Sequence, residues 1–166
     1  FVAQKALPTY GAFTLSTVSA GSPISPITPP TSSNTAPFTY TSSNPAVATV
    51  NATTGEITLV SAGTTTITAS QPATALFEAS STATTLVVNR ATPVLGSFSV
   101  SNIAYGSAPA AITAPSSTSP GAFTYSSDNP AIATVGSDGR ITPVAPGTTV
   151  ITATQAQTPL YSSTTT

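Results

Sequence analysis

The sequence contains no cysteine and no histidine, and it has few charged residues of either sign. Among its 166 residues, three are Lys or Arg and four are Asp or Glu. Charged residues make up 4% of the chain, where about 25% is usual in soluble domains. Without cysteine, disulfides give no information on the redox compartment. Without cysteine or histidine, the Ser-His-Asp and Cys-His arrangements of nucleophilic catalysis cannot form.

The scarcity of cationic residues argues against two classes of partner. At a net charge of −1, no basic field attracts phosphates or anionic lipids, so we expect neither nucleic-acid binding nor membrane binding. No apolar run reaches the roughly 20 residues that span a bilayer, so membrane insertion is not expected. No signal peptide is visible. The first residue is Phe1 rather than Met, which indicates a processed chain or a window of a longer one.

The four carboxylates form no recognisable catalytic pair. Glu56, Glu78, Asp128 and Asp138 fall in different parts of the sequence. A glycosidase of the usual kind needs two acids that flank one cleft. Calcium needs about six to eight oxygen ligands, usually with several carboxylates. We therefore expect a protein that is not an enzyme and that has no metal site and no cofactor.

The sequence contains two successive copies of one module. PFTYTSSNPAVATV ends at Val50 and AFTYSSDNPAIATV ends at Val135, and the two segments are 85 residues apart. Further on, TGEITLVSAGTTTITASQ matches DGRITPVAPGTTVITATQ at a spacing of 84, so one residue has been lost in the turn between. Self-similarity at a fixed period indicates a tandem repeat of one structural unit.

Each copy has the pattern of short β-strands separated by turns. The segments GAFTLSTV, FTYTS, EITLV and TTTITAS alternate apolar and polar residues with the period of a half-buried strand. Turn residues recur at intervals of about 8–12 residues with no helical periodicity, which is typical of a β-sandwich. The 16 prolines spread through the chain also disfavour helices.

Two segments carry a family motif. SSNPAVATVNATTGEITLVSAGTTTITA and SDNPAIATVGSDGRITPVAPGTTVITA resemble bacterial immunoglobulin-like repeats of the invasin/intimin type, often called group 2. The resemblance covers nearly the whole chain. It implies Ig-like sandwiches in tandem, as in bacterial surface adhesins and phage virion proteins, where most such modules are stalks or spacers. It also implies an extracellular location on a cell or virion surface, which a Ser/Thr-rich, nearly uncharged composition favours as well.

The motif residues are expected to be structural. Proline fixes φ near about −65°, and an Asn before it favours a turn in which its side chain bonds nearby backbone, as predicted for Asn44–Pro45 and Asn129–Pro130. Gly63 and Gly147 are predicted to supply a positive φ.

We predict an all-β fold of two tandem Ig-like β-sandwich domains, the second lacking its last strand. Residues 1–5 are assigned to the last strand of a preceding or neighbouring module plus a linker, residues 6–90 to repeat 1 and residues 91–166 to repeat 2. At the spacing of 85, the predicted inter-module strand aligns with residues 86–89 and consists of Phe1, Val2, Ala3 and Gln4. No counterpart of TTLVVN follows in repeat 2.

Two alternatives for the missing strand stay open. In the first, the strand belongs to the same polypeptide within a long array, which we favour because such repeats usually occur in long chains. In the second, Phe1–Gln4 of one molecule pairs into another by strand complementation. The partners are accordingly adjacent repeats of the same chain or identical subunits.

The competing function is a glycan- or receptor-binding adhesive module, whose partner is a glycan or protein of a host surface. Such a module needs aromatic side chains that lie outside the core alternation and stay exposed. The candidates are Tyr10, Tyr105, Phe77 and Tyr161. Because Phe77 and Tyr161 occupy the same position of the two repeats, we expect packing rather than recognition there.

Overall fold

The computed structural model describes residues 4–166 of the chain. Phe1, Val2 and Ala3 of the predicted inter-module strand therefore lie outside the described residues. The described part contains strands and turns but no helix, and the chain divides into two compact units between Ala91 and Thr92. Within residues 4–166, no helix is long and apolar enough to cross a membrane.

The described residues of unit 1, which ends at Ala91, form six strands. They are β1 (Val18–Ser19), β2 (Thr39–Ser42), β3 (Ala48–Val50), β4 (Ile57–Leu59), β5 (Gly63–Gln71) and β6 (Ser80–Asn89). One sheet has the order β1-β6-β5-β2, and β3 and β4 form a second, two-stranded sheet. Pairing is antiparallel except for β1, which runs parallel to β6.

The hairpin of β5 and β6 is the centre of the larger sheet of unit 1. Its pairs run from Gly63 opposite Val88 to Gln71 opposite Ser80. Along both strands one face is buried and the other is more exposed. Val88 also pairs with Val18 of β1, so the end of β6 is held on both of its edges.

Unit 2, residues 92–166, also contains six strands. They are β7 (Ala110–Ala111), β8 (Phe123–Ser127), β9 (Ala133–Val135), β10 (Arg140–Pro143), β11 (Ile151–Gln155) and β12 (Thr164–Thr165). They form two three-stranded antiparallel sheets with the orders β7-β10-β9 and β12-β11-β8.

The last strand differs most between the two units. In unit 2, β12 pairs with β11 through only Thr164 and Thr165, the counterparts of the first two residues of the ten-residue β6. The structure therefore has a short strand at the position where the sequence predicted that unit 2 lacks one. The strand β11 is also shorter than β5, because it begins at Ile151 rather than at the counterpart of Gly63.

Unit 2 also has fewer buried apolar side chains than unit 1. The buried apolar side chains of unit 1 are Phe13, Ile27, Tyr40, Val47, Ala48, Ile67, Ala69, Leu86 and Val88, whereas those of unit 2 are Ala133, Ile141 and Ala153. The smaller buried core therefore accompanies the shorter last strand of unit 2.

Candidate functional site

A groove lies in unit 2 among the described residues. Its volume is about 490 Å³. Its apolar lining comes from the segment before β7, from β9 and β10, and from the segment leading into β11. The apolar residues that line it include Phe98, Val100, Ile103, Ile132, Ile141 and Ile151.

The groove lies where unit 1 carries the end of β6. In unit 1, β6 is held between β1 on one edge and the first half of β5 on the other. At the repeat spacing, Val18 of β1 corresponds to Ile103, and residues 63–67 of β5 correspond to residues 147–151. Ile103 and all of residues 147–151 except Val150 line the groove, so its two walls correspond to the two edges that β6 occupies in unit 1.

Side chains around the groove are less buried than their counterparts in unit 1. Ile67 is fully buried, whereas Ile151, its counterpart, is half-buried. Val47 and Phe13 are likewise buried, whereas their counterparts Ile132 and Phe98 are half-buried. In unit 1, Leu86 and Val88 of β6 are themselves 1% and 2% exposed.

A glycine borders the groove at the edge where a strand would pair. Gly147 has a φ of 155°, and its counterpart Gly63 has a φ of 149°, so the predicted positive φ is confirmed. A Cβ at Gly63 would lie 2.9 Å from Val47, and one at Gly147 would lie 2.7 Å from Ile132. Both positions therefore exclude a side chain on steric grounds as well.

The predicted inter-module residues are described only at Gln4, which is exposed and outside any strand. Two residues later the chain is held within unit 1, because the amide of Ala6 donates to the carbonyl of Leu76 and the amide of Glu78 donates to the carbonyl of Ala6, each at 2.9 Å. The involvement of Phe1, Val2, Ala3 and Gln4 in a neighbouring module stays a prediction.

The aromatic residues considered for ligand binding do not form one surface. Tyr105 is 67% exposed and lines the groove. Tyr10 is half-buried, and its ring centroid lies 6.0 Å from that of Phe38. Phe77 and Tyr161 are half-buried and occupy the same turn of their units, in which the amide of Thr74 donates to the carbonyl of Phe77 at 2.9 Å. Their equivalent placement agrees with a packing role.

The carboxylates likewise stay apart. Asp138 lies 3.8 Å from Arg140, and Glu56 accepts a hydrogen bond from Thr54. Asp128 accepts from the hydroxyl of Thr149 at 2.5 Å and from the amide of Val150 at 2.8 Å. These bonds, that from Thr149 first, lower the pKa of Asp128 below its ordinary value of 3.8. Among the described residues, no three Asp, Glu, His or Cys side chains are close enough together to hold a metal ion.

The Asn-Pro motif has the local role predicted for it. The side-chain oxygen of Asn44 accepts from the amide of Ala46, and that of Asn129 accepts from the amide of Ala131, each at 3.2 Å. Both side chains therefore bond backbone two residues further on and shape the turn before β3 and β9.

Sequence reasoning missed the buried glutamines that end β5 and β11. Gln71 and Gln155 are 3% and 1% exposed. In unit 2, Gln155 donates to the carbonyls of Ser119 and Gly121. The available signal was that both copies keep a glutamine at the inward position of an otherwise alternating strand.

Comparison with known proteins identifies two domain families. Residues 30–74 match the intimin immunoglobulin-like domain, and residues 109–161 match the bacterial Ig-like domain of group 2. No curated protein matches the chain.

Two solved structures show the extent of structural similarity. The surface layer protein SbsC, domains 1–6, is 22% identical over 77% of this chain with a TM-score of 0.33. The chain spans 19% of that protein. Mouse protocadherin-24 EC1-3 is 13% identical over 96% of this chain and 68% of its own, with a TM-score of 0.35.

Proposed function

Because the chain carries an intimin immunoglobulin-like domain and a group 2 bacterial Ig-like domain in tandem, we propose that it is a structural repeat of an extracellular fibre, stalk or surface adhesin. In this proposal the chain belongs to a protein on a bacterial surface or on a phage virion. The observation that carries this proposal is the tandem of two Ig-like domains, since modules of this type mostly serve as stalks or spacers.

The chemistry of the described residues supports a passive, load-bearing module. Charged residues are 4% of the chain, and its carboxylates lie apart rather than around one cleft. The buried polar groups serve local structure, because the side chains of Gln71 and Gln155 bond loop carbonyls within their own units. A rigid, weakly charged module suits a spacer that holds other domains at a distance.

In this proposal neighbouring modules are joined by strand complementation, in which one module supplies the last strand of another. The support is the groove of unit 2, whose lining includes apolar side chains at the place where unit 1 carries the end of β6.

The alternative is an adhesive module that binds a glycan or receptor. Tyr105 favours it, because this side chain is 67% exposed and lies at the groove. Against it, the other three candidate aromatics are half-buried. The groove lining combines apolar side chains with Ser, Thr and Asn102.

Two measurements test the structural role. Antibodies raised against the chain are expected to label intact cells or virions of its source without permeabilisation. The purified chain is expected to show no binding on a glycan array. Labelling only after permeabilisation would contradict the extracellular location, and saturable glycan binding that is lost in Tyr105→Ala but kept in Tyr161→Ala would favour the adhesive alternative.

A further inference from the structure

The turn that joins β3 to β4 in unit 1 carries an N-glycosylation sequon. Asn51, Ala52 and Thr53 form Asn-x-Thr without proline at the middle position, and this is the acceptor sequence for a sugar on the asparagine side chain. The chain has five other asparagines, and each has alanine two positions further on, where a sequon needs Ser or Thr. They are Asn34, Asn44, Asn89, Asn102 and Asn129.

The fold presents this sequon at the surface of unit 1. The strand β3 ends at Val50, which pairs with Ile57 at the start of β4, so the sequon lies in the hairpin turn between them. Residues 51–54 are all exposed. A sequon indicates a modification site only where the chain forms a surface loop, because an attached glycan is bulky and hydrated. Asn51 meets that condition.

The side chain of Asn51 is held through its oxygen alone. Its Oδ1 accepts hydrogen bonds from the amide of Thr53 at 2.9 Å and from the amide of Thr54 at 3.0 Å. No described residue accepts a hydrogen bond from its Nδ2, which carries two donor hydrogens. A sugar on Nδ2 takes the place of one of these hydrogens, so it leaves both hydrogen bonds of the turn intact.

The hydroxyl of Thr53 is also available. Ser and Thr are interchangeable at the third position of a sequon, so the hydroxyl is the group that a transferase recognises there. Among residues 4–166 nothing bonds the hydroxyl of Thr53, which contributes only its amide to the turn. The neighbouring Thr54 differs, because its hydroxyl donates to the carboxylate of Glu56 at 3.2 Å. Both groups that define the sequon therefore face solvent without a partner in the fold.

Unit 2 shows that this hairpin closes without an asparagine. At the repeat spacing of 85, Gly136 stands in the place of Asn51. The amide of Gly136 donates to the carbonyl of Arg140 at 2.8 Å, as the amide of Asn51 donates to the carbonyl of Glu56 at 2.8 Å. The same backbone bond thus closes both turns, and the fold of the hairpin does not by itself explain the sequon in unit 1.

We propose that Asn51 is a modification site that carries an N-linked glycan. The co-substrate is a diphosphate-activated sugar, which a glycosyltransferase of the source presents to the turn. Nδ2 of Asn51 forms a bond to the anomeric carbon, and the bond from that carbon to the diphosphate oxygen breaks. The diphosphate leaves with the electron pair, and one Nδ2 proton passes to a base of the transferase. This inference goes beyond the structural role, because it marks unit 1 and leaves the equivalent turn of unit 2 unmodified.

Peptide mass spectrometry of the chain isolated from its source tests the proposal. Trypsin cleaves the denatured chain after Lys5, Arg90 and Arg140, so residues 6–90 form one peptide that contains Asn51. That peptide is expected to exceed its sequence mass by the mass of at least one hexose. Fragmentation should place the added mass on Asn51. An unmodified Asn51 in this material would overturn the proposal.

Three variants produced in the same source separate the sequon from its surroundings. Thr53→Val keeps Asn51 and removes the hydroxyl, so the added mass should disappear. Thr53→Ser keeps a sequon and should retain the added mass. Thr54→Val, the matched control, removes the neighbouring hydroxyl outside the sequon and should also retain it. Added mass on Asn51 in Thr53→Val, or its loss in Thr53→Ser, would contradict the proposal. Either result leaves the surface-labelling test of the structural role unaffected.

Discussion

The hydroxyl of Ser117 donates a hydrogen bond to the buried side-chain oxygen of Gln155, 2.6 Å away. The side-chain nitrogen of Gln155 donates in turn to the carbonyls of Ser119 and Gly121, at 2.9 and 2.7 Å. Unit 1 builds the same arrangement around Gln71, whose oxygen accepts from Ser32 at 2.6 Å. Each glutamine therefore fastens an irregular segment of its own unit to the end of a central strand.

Replacement of this glutamine by leucine should destabilise unit 2. Gln155→Leu leaves the hydroxyl of Ser117 and two carbonyls without their partner, and each buried polar group left unpaired costs about 1–3 kcal/mol. Because some of these groups gain access to water, we expect a total loss of about 3 kcal/mol. Urea unfolding followed by near-UV circular dichroism measures it. Gln157→Leu, at an exposed position two residues on, is the matched control and should change stability little. Equal losses for the two variants would contradict the assigned role.

A second prediction concerns Tyr40, whose hydroxyl is buried and has no hydrogen-bond partner among the described residues. Burial also raises the pKa of this phenol above its ordinary value of 10.0. Tyr40→Phe removes a desolvated hydroxyl, so we expect unit 1 to gain about 1 kcal/mol. Since the folded pKa is raised, the natural chain also loses stability as the pH rises through that pKa, and the variant should lack this loss.

The control for this substitution lies in the other unit. Tyr125 is the counterpart of Tyr40 and is half-buried, so Tyr125→Phe is expected to be close to neutral. Thermal unfolding at neutral pH and at pH values above about 10, near the ordinary phenol pKa, compares the two variants. A clear loss of stability in Tyr40→Phe at neutral pH would refute the interpretation.

A third prediction uses the carboxylate of Asp128. Hydrogen bonds from Thr149 and Val150 lower its pKa below 3.8. A lowered folded pKa gives stability that is present above the unfolded value and is lost as the pH falls through the folded value. Unit 2 should therefore lose stability below about pH 4, and Asp128→Ser, which introduces the residue found at the equivalent Ser43, should reduce that pH dependence. Acid titration of the unfolding midpoint measures it.

Thr149→Val serves as the comparison variant, because it keeps the carboxylate and removes the hydroxyl that contributes most to the lowered pKa. It should reduce the acid-induced loss in the same direction as Asp128→Ser, though less, since the bond from Val150 remains. If the unfolding midpoint of both variants depends on acid pH as in the natural chain, the hydrogen-bonded carboxylate of Asp128 is not the cause of the acid-induced loss of stability.

The repeat made the general fold predictable, and local chemistry made some of its details predictable. Asn44 and Gly63 behave as expected because their roles depend on residues close in sequence. Gln71 was not recognised as a core residue, because a polar side chain at an inward position is normally assigned to the surface and its partners lie 35 to 39 residues away in the sequence. Partners at that distance are set by the fold and not by the local pattern.

The predicted strand over GAFTLSTV shows a second limit of sequence reasoning. Only its end at Val18 belongs to a strand, β1, and Gly11 instead donates a single bond to the carbonyl of Thr31. Alternation reports which side chains face the core, and Phe13 is indeed buried, but a strand also requires a paired neighbour along its length. In unit 2 the counterpart of β1 does not form among the described residues.

The last prediction concerns trypsin, which has three possible cleavage sites in this chain, after Lys5, Arg90 and Arg140. The bond after Arg140 lies at the start of β10, where Ile141 is 3% exposed and pairs with both Ala110 and Val135. Arg90 is exposed and follows the end of β6. Proteases cut segments that open locally at low cost in free energy, so cleavage after Arg90 should precede cleavage after Arg140 and release two stable fragments.

Mass spectrometry of a limited digest follows these cuts in time. Arg90→Gln is expected to keep residues 6–166 in one piece for as long as the natural chain takes to give two fragments, whereas Lys5→Gln should leave the two-fragment pattern unchanged. Early cleavage after Arg140 would mean that β10 opens readily in unit 2.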